Sequence, residues 1–133
     1  MKPIGGLQRL LAAQAATGTL NTTGIQAINA DKIAFSLATA SSANLTVKFQ
    51  GSQQDTPPDF TAAQSASNMW DYIEVIDLED GAFIDGDTGI AMAGTDDFRN
   101  LSANVEAMKW VNAIVTARAA GSVTVNAQLW SIA

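Results

Sequence analysis

From about residue 17 onward, apolar residues recur at every second position, the repeat of half-buried strands and not of helices. Ile33, Phe35 and Leu37 alternate with Ala34, Ser36 and Ala38, and after Ser41-Ser42-Ala43-Asn44 the alternation resumes at Leu45, Val47 and Phe49. Two strands joined by a tight turn are expected there. Trp70 to Leu78 is rich in aromatic and β-branched residues and stops at Glu79-Asp80-Gly81. Ala82-Phe83-Ile84 then reads as a short strand ended by Asp85-Gly86, a hairpin signal. Leu101, Ala103 and Val105 follow, then Lys109 to Ala117, then Val123 to Ile132 after Ala120-Gly121. The pattern predicts an all-β, single-domain, jelly-roll-like β-sandwich of about eight strands, with turn signals roughly every 8 to 12 residues.

Two segments depart from this rhythm. In residues 1–16, Ile4, Leu7, Leu10 and Leu11 fall at helical spacing in an Ala-rich setting. They predict a short N-terminal helix, or an arm that orders against a neighbouring subunit, ahead of a β-sandwich domain over 17–133. Removing residues 1–16 is then expected to leave the fold intact and to weaken assembly. Residues 50–68 are too long and too rich in Pro and Ser for a strand, and are expected to form an Ω-loop or a binding loop. Pro57, Pro58 and Phe60 there, with Ile4, Leu7, Leu10 and Leu11, are the candidate contacts with a neighbouring subunit or a larger partner.

Composition narrows the function. The chain of 133 residues has no Cys and no His, so thiolate and imidazole chemistry, disulfides and the usual zinc or iron ligands are closed to it. Seven basic against thirteen acidic residues argue against nucleic acid and anionic membranes as partners. No apolar run approaches the roughly 18 to 20 residues of a membrane span, and the apolar run near Leu10 is shorter than a secretory signal needs. A soluble chain is expected.

The remaining candidate chemistry is thin. Nine of the thirteen acidic residues lie between Asp71 and Asp97, a stretch without Lys or Arg. Asp85-Gly86-Asp87-Thr88-Gly89 resembles the start of a calcium loop, with Asp85 and Asp87 as the ligands. The pattern then breaks at Gly89, Ile90 and Asp96, so no metal or other cofactor is expected and an exposed turn is the simpler reading. Glu74, Glu79 and Glu106 are the carboxylates a glycosidase would need, but each falls at an outward strand position, a turn or a strand end. A Ser nucleophile lacks a base, since no Ser-x-x-Lys occurs. Neither route is expected to be used, and the chain is read as no enzyme. Trp70, Tyr72, Trp110 and Trp130 sit in strand patterns where aromatic residues commonly pack inside. Trp70 and Tyr72 are the candidate glycan platform.

Thr, Asn and Ser fill most non-apolar strand positions in place of Lys and Glu. Free-standing sheets normally protect their faces and edges with charge, so a homo-oligomer is expected in which part of the surface is interface. At Phe49-Gln50-Gly51-Ser52, Pro57-Pro58-Asp59-Phe60-Thr61, Asn68-Met69-Trp70, Gly86-Asp87-Thr88-Gly89-Ile90 and Lys109-Trp110-Val111, the sequence resembles small structural proteins encoded beside the major capsid genes of tailed bacteriophages. The similarity runs from about Ala34 to Val125. It implies a virion component, a jelly-roll decoration (cement) protein bound as a trimer to the outside of the major capsid shell, and carries no catalytic residues. The alternative is a receptor- or glycan-binding head domain of a fibre or tail protein.

Overall fold

In the computed structural model, which describes residues 1–132, the two longest strands define everything else. The chain runs β1 (Lys2–Gln14), β2 (Ile25–Gln26), β3 (Lys32–Ser52), β4 (Trp70–Tyr72), β5 (Val75–Asp77), β6 (Phe83–Ile84), β7 (Ile90–Gly94), β8 (Phe98–Asn104) and β9 (Trp110–Ser131). All pair antiparallel in one nine-stranded sheet. β3 and β9 pair along nearly their whole lengths, from Lys32↔Trp130 to Ser52↔Trp110.

The ribbon is folded in half. Phe35 and Phe49 lie fourteen positions apart on β3, about 46 Å if the strand were straight, yet their rings stack with centroids 4.2 Å apart. The crease is where the β3/β9 register shifts, between Ala40 and Asn44. Ser41 and Ser42 adopt positive φ there, and on the facing strand so does Gly121. A Cβ on Gly121 would lie 2.4 Å from the Ala43 Cα and 2.7 Å from the Ala40 carbonyl oxygen, so only glycine lets the two strands approach at the bend. Across the other edge of β3, β7 pairs beyond the crease and β8 before it. The Thr39 hydroxyl pins this side, donating to the Gly94 carbonyl and accepting from the Asp97 amide.

Two layers result. Layer one contains β1, β8, β5, β6, the first half of β3 and the second half of β9; layer two contains β2, β7, β4 and the remaining halves. Odd-numbered positions of β3 from Ile33 through Phe49, except Ser41 at the crease, point into the space between them, with Leu101, Val111, Val115 and Val125. Burying this apolar surface is the main force that holds the fold shut.

Gln50–Ser52, expected inside the loop over 50–68, are instead the end of β3 and pair with β9 and β4. Ser41–Asn44 and Ala120–Gly121 are not hairpin turns between separate strands; each is the crease of one long strand, and the two creases pair with each other. Asp85-Gly86 likewise ends no hairpin, since β6 lies in layer one and β7 in layer two. Residues 1–16 form no helix: Lys2–Gln14 is a strand along the second half of β9. The all-β expectation holds, but the layers are halves of a single sheet, where a jelly roll has two sheets of its own.

Candidate interaction surfaces

Residues 53–69, between β3 and β4, fold back over the outside of layer two. A buried relay of side chains seats them: Thr19 Oγ1 donates to Asn112 Oδ1 (3.0 Å), Asn112 Nδ2 to Gln50 Oε1 (2.8 Å), and Gln50 Nε2 to the Phe60 carbonyl (2.9 Å). Phe60 is 1% exposed and Pro58 is buried, while Pro57 faces solvent. Phe60 and Pro58, expected as contacts, are buried within the chain and anchor the loop. Asn68 closes the loop, accepting from the Asp59 amide and donating to the carbonyls of Asp59 and Ala63. Gln50→Leu leaves Asn112 Nδ2 without its acceptor and the Phe60 carbonyl without the Gln50 donor. We expect it to cost about 1–3 kcal/mol and to speed proteolytic cleavage within 53–69 more than elsewhere.

Trp70 and Tyr72 are brought together, but not as a flat platform. Phe60, Trp70 and Tyr72 form a row of edge contacts, with centroids 6.3 and 5.2 Å apart and the Trp70 and Tyr72 rings 78° from coplanar. Lys48 Nζ sits 4.8 Å from the Tyr72 centroid. Burial first, then the carboxylates of Asp87 and Asp71, push the Tyr72 hydroxyl above its ordinary pKa. Trp70 alone of the two lines an open groove of about 780 Å³, with Gln53, Gln54, Gln64, Met69 and Asp71. Its indole is fixed by a bond to the Ala62 carbonyl (3.0 Å).

The N-terminal candidates divide. Leu10 and Leu11 are both buried although adjacent, because a register shift between Arg9 and Leu11 breaks the alternation and turns both inward. Ile4 is half-buried against the core, and Leu7 is 68% exposed in the irregular stretch after Ile4. Among these four, Leu7 is the most exposed side chain.

The acidic stretch is dispersed. Among the described residues no group of three or more acidic side chains converges on one point. Asp85 and Asp87 do not form a shared cage: Asp85 Oδ1 accepts the Asp87 amide (2.8 Å) and serves its own turn. Glu74, Glu79 and Glu106 are exposed and lie before β5, in the β5–β6 turn and after β8. Trp130 lies on the outer side of layer one, and the Trp110 indole donates to the Gln54 carbonyl.

Near the crease, Asp97 pairs with Arg99 (3.0 Å). Burial raises the Asp97 carboxyl, but the bonds from Arg99 and from the Ala93 amide outweigh it and hold the group below its ordinary value. A carboxyl lowered in the folded state contributes stability above its unfolded pKa of about 3.9, and that contribution disappears as pH falls through the lower folded value. We expect the urea midpoint to drop as pH is lowered from about 5 to 2.5, and to drop less in Asp97→Asn.

The surface that sequence reasoning missed is the outer face of layer one. Its cross-strand rungs read Arg9, Asn126, Ser36 and Asn100, with Leu78 bonded alongside Asn100; then Gln128, Ala34, Ser102, Ile76 and Phe83. Arg9 and Lys32 are the charged side chains on it. At the β5–β6 end, Phe98, Phe83 and Leu78 are 69%, 68% and 56% exposed around Ile76. Each stands at an ordinary outward position, so only the strand pairing that gathers them into one patch reveals it.

No protein-family model matches the chain, and no curated protein matches it. Among solved structures it is similar to the crystal structure of the SPBc2 prophage-derived protein YomS, with a TM-score of 0.56 and 14% identity over 95% of this chain and 96% of that one. At that identity the likeness is one of fold.

Proposed function

We propose that the chain is a non-enzymatic structural component of a tailed-phage particle: a decoration protein that binds the outside of the major capsid shell as an oligomer of itself and stabilises it. The observation that carries this reading is the outer face of layer one, broad, nearly uncharged and apolar at one end. Such a face on a free chain invites association; in an assembly it is covered. The folded ribbon beneath it supplies a stiff scaffold. The fold it shares with a prophage-derived protein agrees with a virion origin. The test is to mix the purified chain with shells that lack it. Added surface density by electron microscopy and a raised shell melting temperature are expected; absence of binding at saturating chain ends the reading.

A second reading rests on the groove beside Trp70, which joins a fixed indole to amide and carboxylate groups as a sugar-binding cleft does. On it, the chain is a receptor- or glycan-binding head domain. Binding on a glycan array that Trp70→Ala abolishes without unfolding would favour it; an array with no binding would discard it.

A further inference from the structure

We infer that the outer face of layer one is covered by a second copy of this chain, related by a twofold axis lying in the contact and running along the strands. This rests on the reading that the face is covered in an assembly, and names what covers it.

Three observations select that occupant. The first is size. Four strands of seven to nine facing residues, at about 4.8 Å spacing and about 3.3 Å per residue, with the short β5 and β6 added, give roughly 500–650 Å², at the lower end of the roughly 600–1,000 Å² per partner of a standard protein interface. The second is composition. Short Ala, Ser and Asn side chains over the middle of the face let two sheets approach to about 10 Å with strands nearly aligned. The exposed Phe83, Phe98 and Leu78 supply the apolar and aromatic anchors such contacts need.

The third is the arrangement of charge across the sheet. Arg9 stands at the β1 end, tied to Asn126 by a 3.0 Å bond. The turn after β5, with Glu79 and Asp80, stands at the opposite end. Two twofold arrangements keep the strands aligned. An axis across the strands would lay β1 on β1 and bring Arg9 toward Arg9. An axis along the strands carries β1 of one copy over the β5–β6 end of the other, so each Arg9 meets Glu79 and Asp80 of its mate, twice. In that arrangement Phe83 and Leu78 of each copy reach toward the β1 and β9 strands of the other, where Trp130 stands half-buried. Isologous contacts of this kind repeat every pairing, and Lys32 on central β3 is brought near its counterpart at the Asn104 end of the face, a cost the two Arg9 pairings must outweigh.

Sedimentation velocity on the full chain, from 1 to 200 μM in steps of about tenfold or less, tests the pairing. A dimer is expected. Phe98→Asp and Phe83→Asp, on different strands and both exposed, should each weaken it at least about tenfold while circular dichroism and melting stay unchanged. Arg9→Glu should weaken it, and Arg9→Glu combined with Glu79→Lys should restore it. A monomer throughout, a threefold oligomer, or a dimer indifferent to both Phe variants overturns the inference. Shell binding separates this from the broader reading: monomers that decorate shells overturn the pairing alone, and dimers that bind no shell overturn the decoration role alone.

Discussion

Phe35→Ala is expected to lower the free energy of unfolding by about 3–5 kcal/mol, read as a fall in the urea midpoint at unchanged slope. Phe35 belongs to layer one and Phe49 to layer two, and their stacked rings, 28° from parallel, are where the folded ribbon touches itself most directly. Both are at most 1% exposed. Truncation removes a ring from water-free surroundings, deletes the aromatic pair and leaves a void that the paired backbones cannot close by sliding, since each is fixed by its ladder. A domain of this size holds about 5–15 kcal/mol in total, so the variant stands near the limit of folding. Phe35→Leu retains most of the volume and should lose less than half as much. Leu7→Ala, at an exposed position, should change stability by under about 0.5 kcal/mol. A loss below about 1 kcal/mol for Phe35→Ala would mean that the halves of β3 do not pack face to face.

The alternation that places Ile33, Phe35, Leu37, Leu45, Val47 and Phe49 inside was legible in the chain, because burial on one face of a strand leaves a repeat of two whatever the strand pairs with. What the repeat does not carry is connectivity. Ser41-Ser42 and Ala120-Gly121 do bend the backbone as turn residues should, with positive φ at Ser41, Ser42 and Gly121. A hairpin and a crease ask the same of the local chain, however. They differ only in whether the two flanks pair with each other or both with a third strand, and that strand, β9, lies some eighty positions away.

The loop expected over 50–68 was legible as an irregular segment through its prolines, although Gln50–Ser52 belong to β3, and the relay that seats it joins Thr19, Gln50 and Asn112, distant from one another in the chain. Spacing along the chain cannot show such a relay. Leu10 and Leu11 failed for a local reason. Two adjacent apolar residues fit one face of a helix and violate the alternation of a strand, unless a bulge intervenes, and bulges leave little trace in sequence. The candidate surface was illegible for the opposite reason: Phe83, Phe98 and Leu78 each look like an ordinary strand or strand-end residue until cross-strand pairing makes them neighbours.

Deletion of residues 1–16 is now expected to abolish cooperative folding, the reverse of what a detachable arm would do. β1 pairs with β9 from Lys2↔Ser131 to Gln14↔Val123, so its loss strips the hydrogen-bond partner from one side of the second half of β9, the strand that runs through both layers. It also removes Leu10 and Leu11, which are 2% and 0% exposed, and each buried leucine alone is worth about 2–5 kcal/mol when cut to alanine. Together these losses reach the whole stability expected of the domain, and the bared edge of β9 offers a template for aggregation. The truncated chain should show no cooperative melting transition and should partition to the insoluble fraction on expression. Leu10→Ala and Leu11→Ala in the full chain should each lower the melting temperature by roughly 10 °C or more. Deletion of residues 1–6, which keeps both leucines and the paired stretch from Gln8 onward, should leave a folded protein. A soluble, cooperatively melting chain lacking all sixteen residues would instead show that β9 is stable with that edge uncovered, and that Leu10 and Leu11 contribute little to the core they enter.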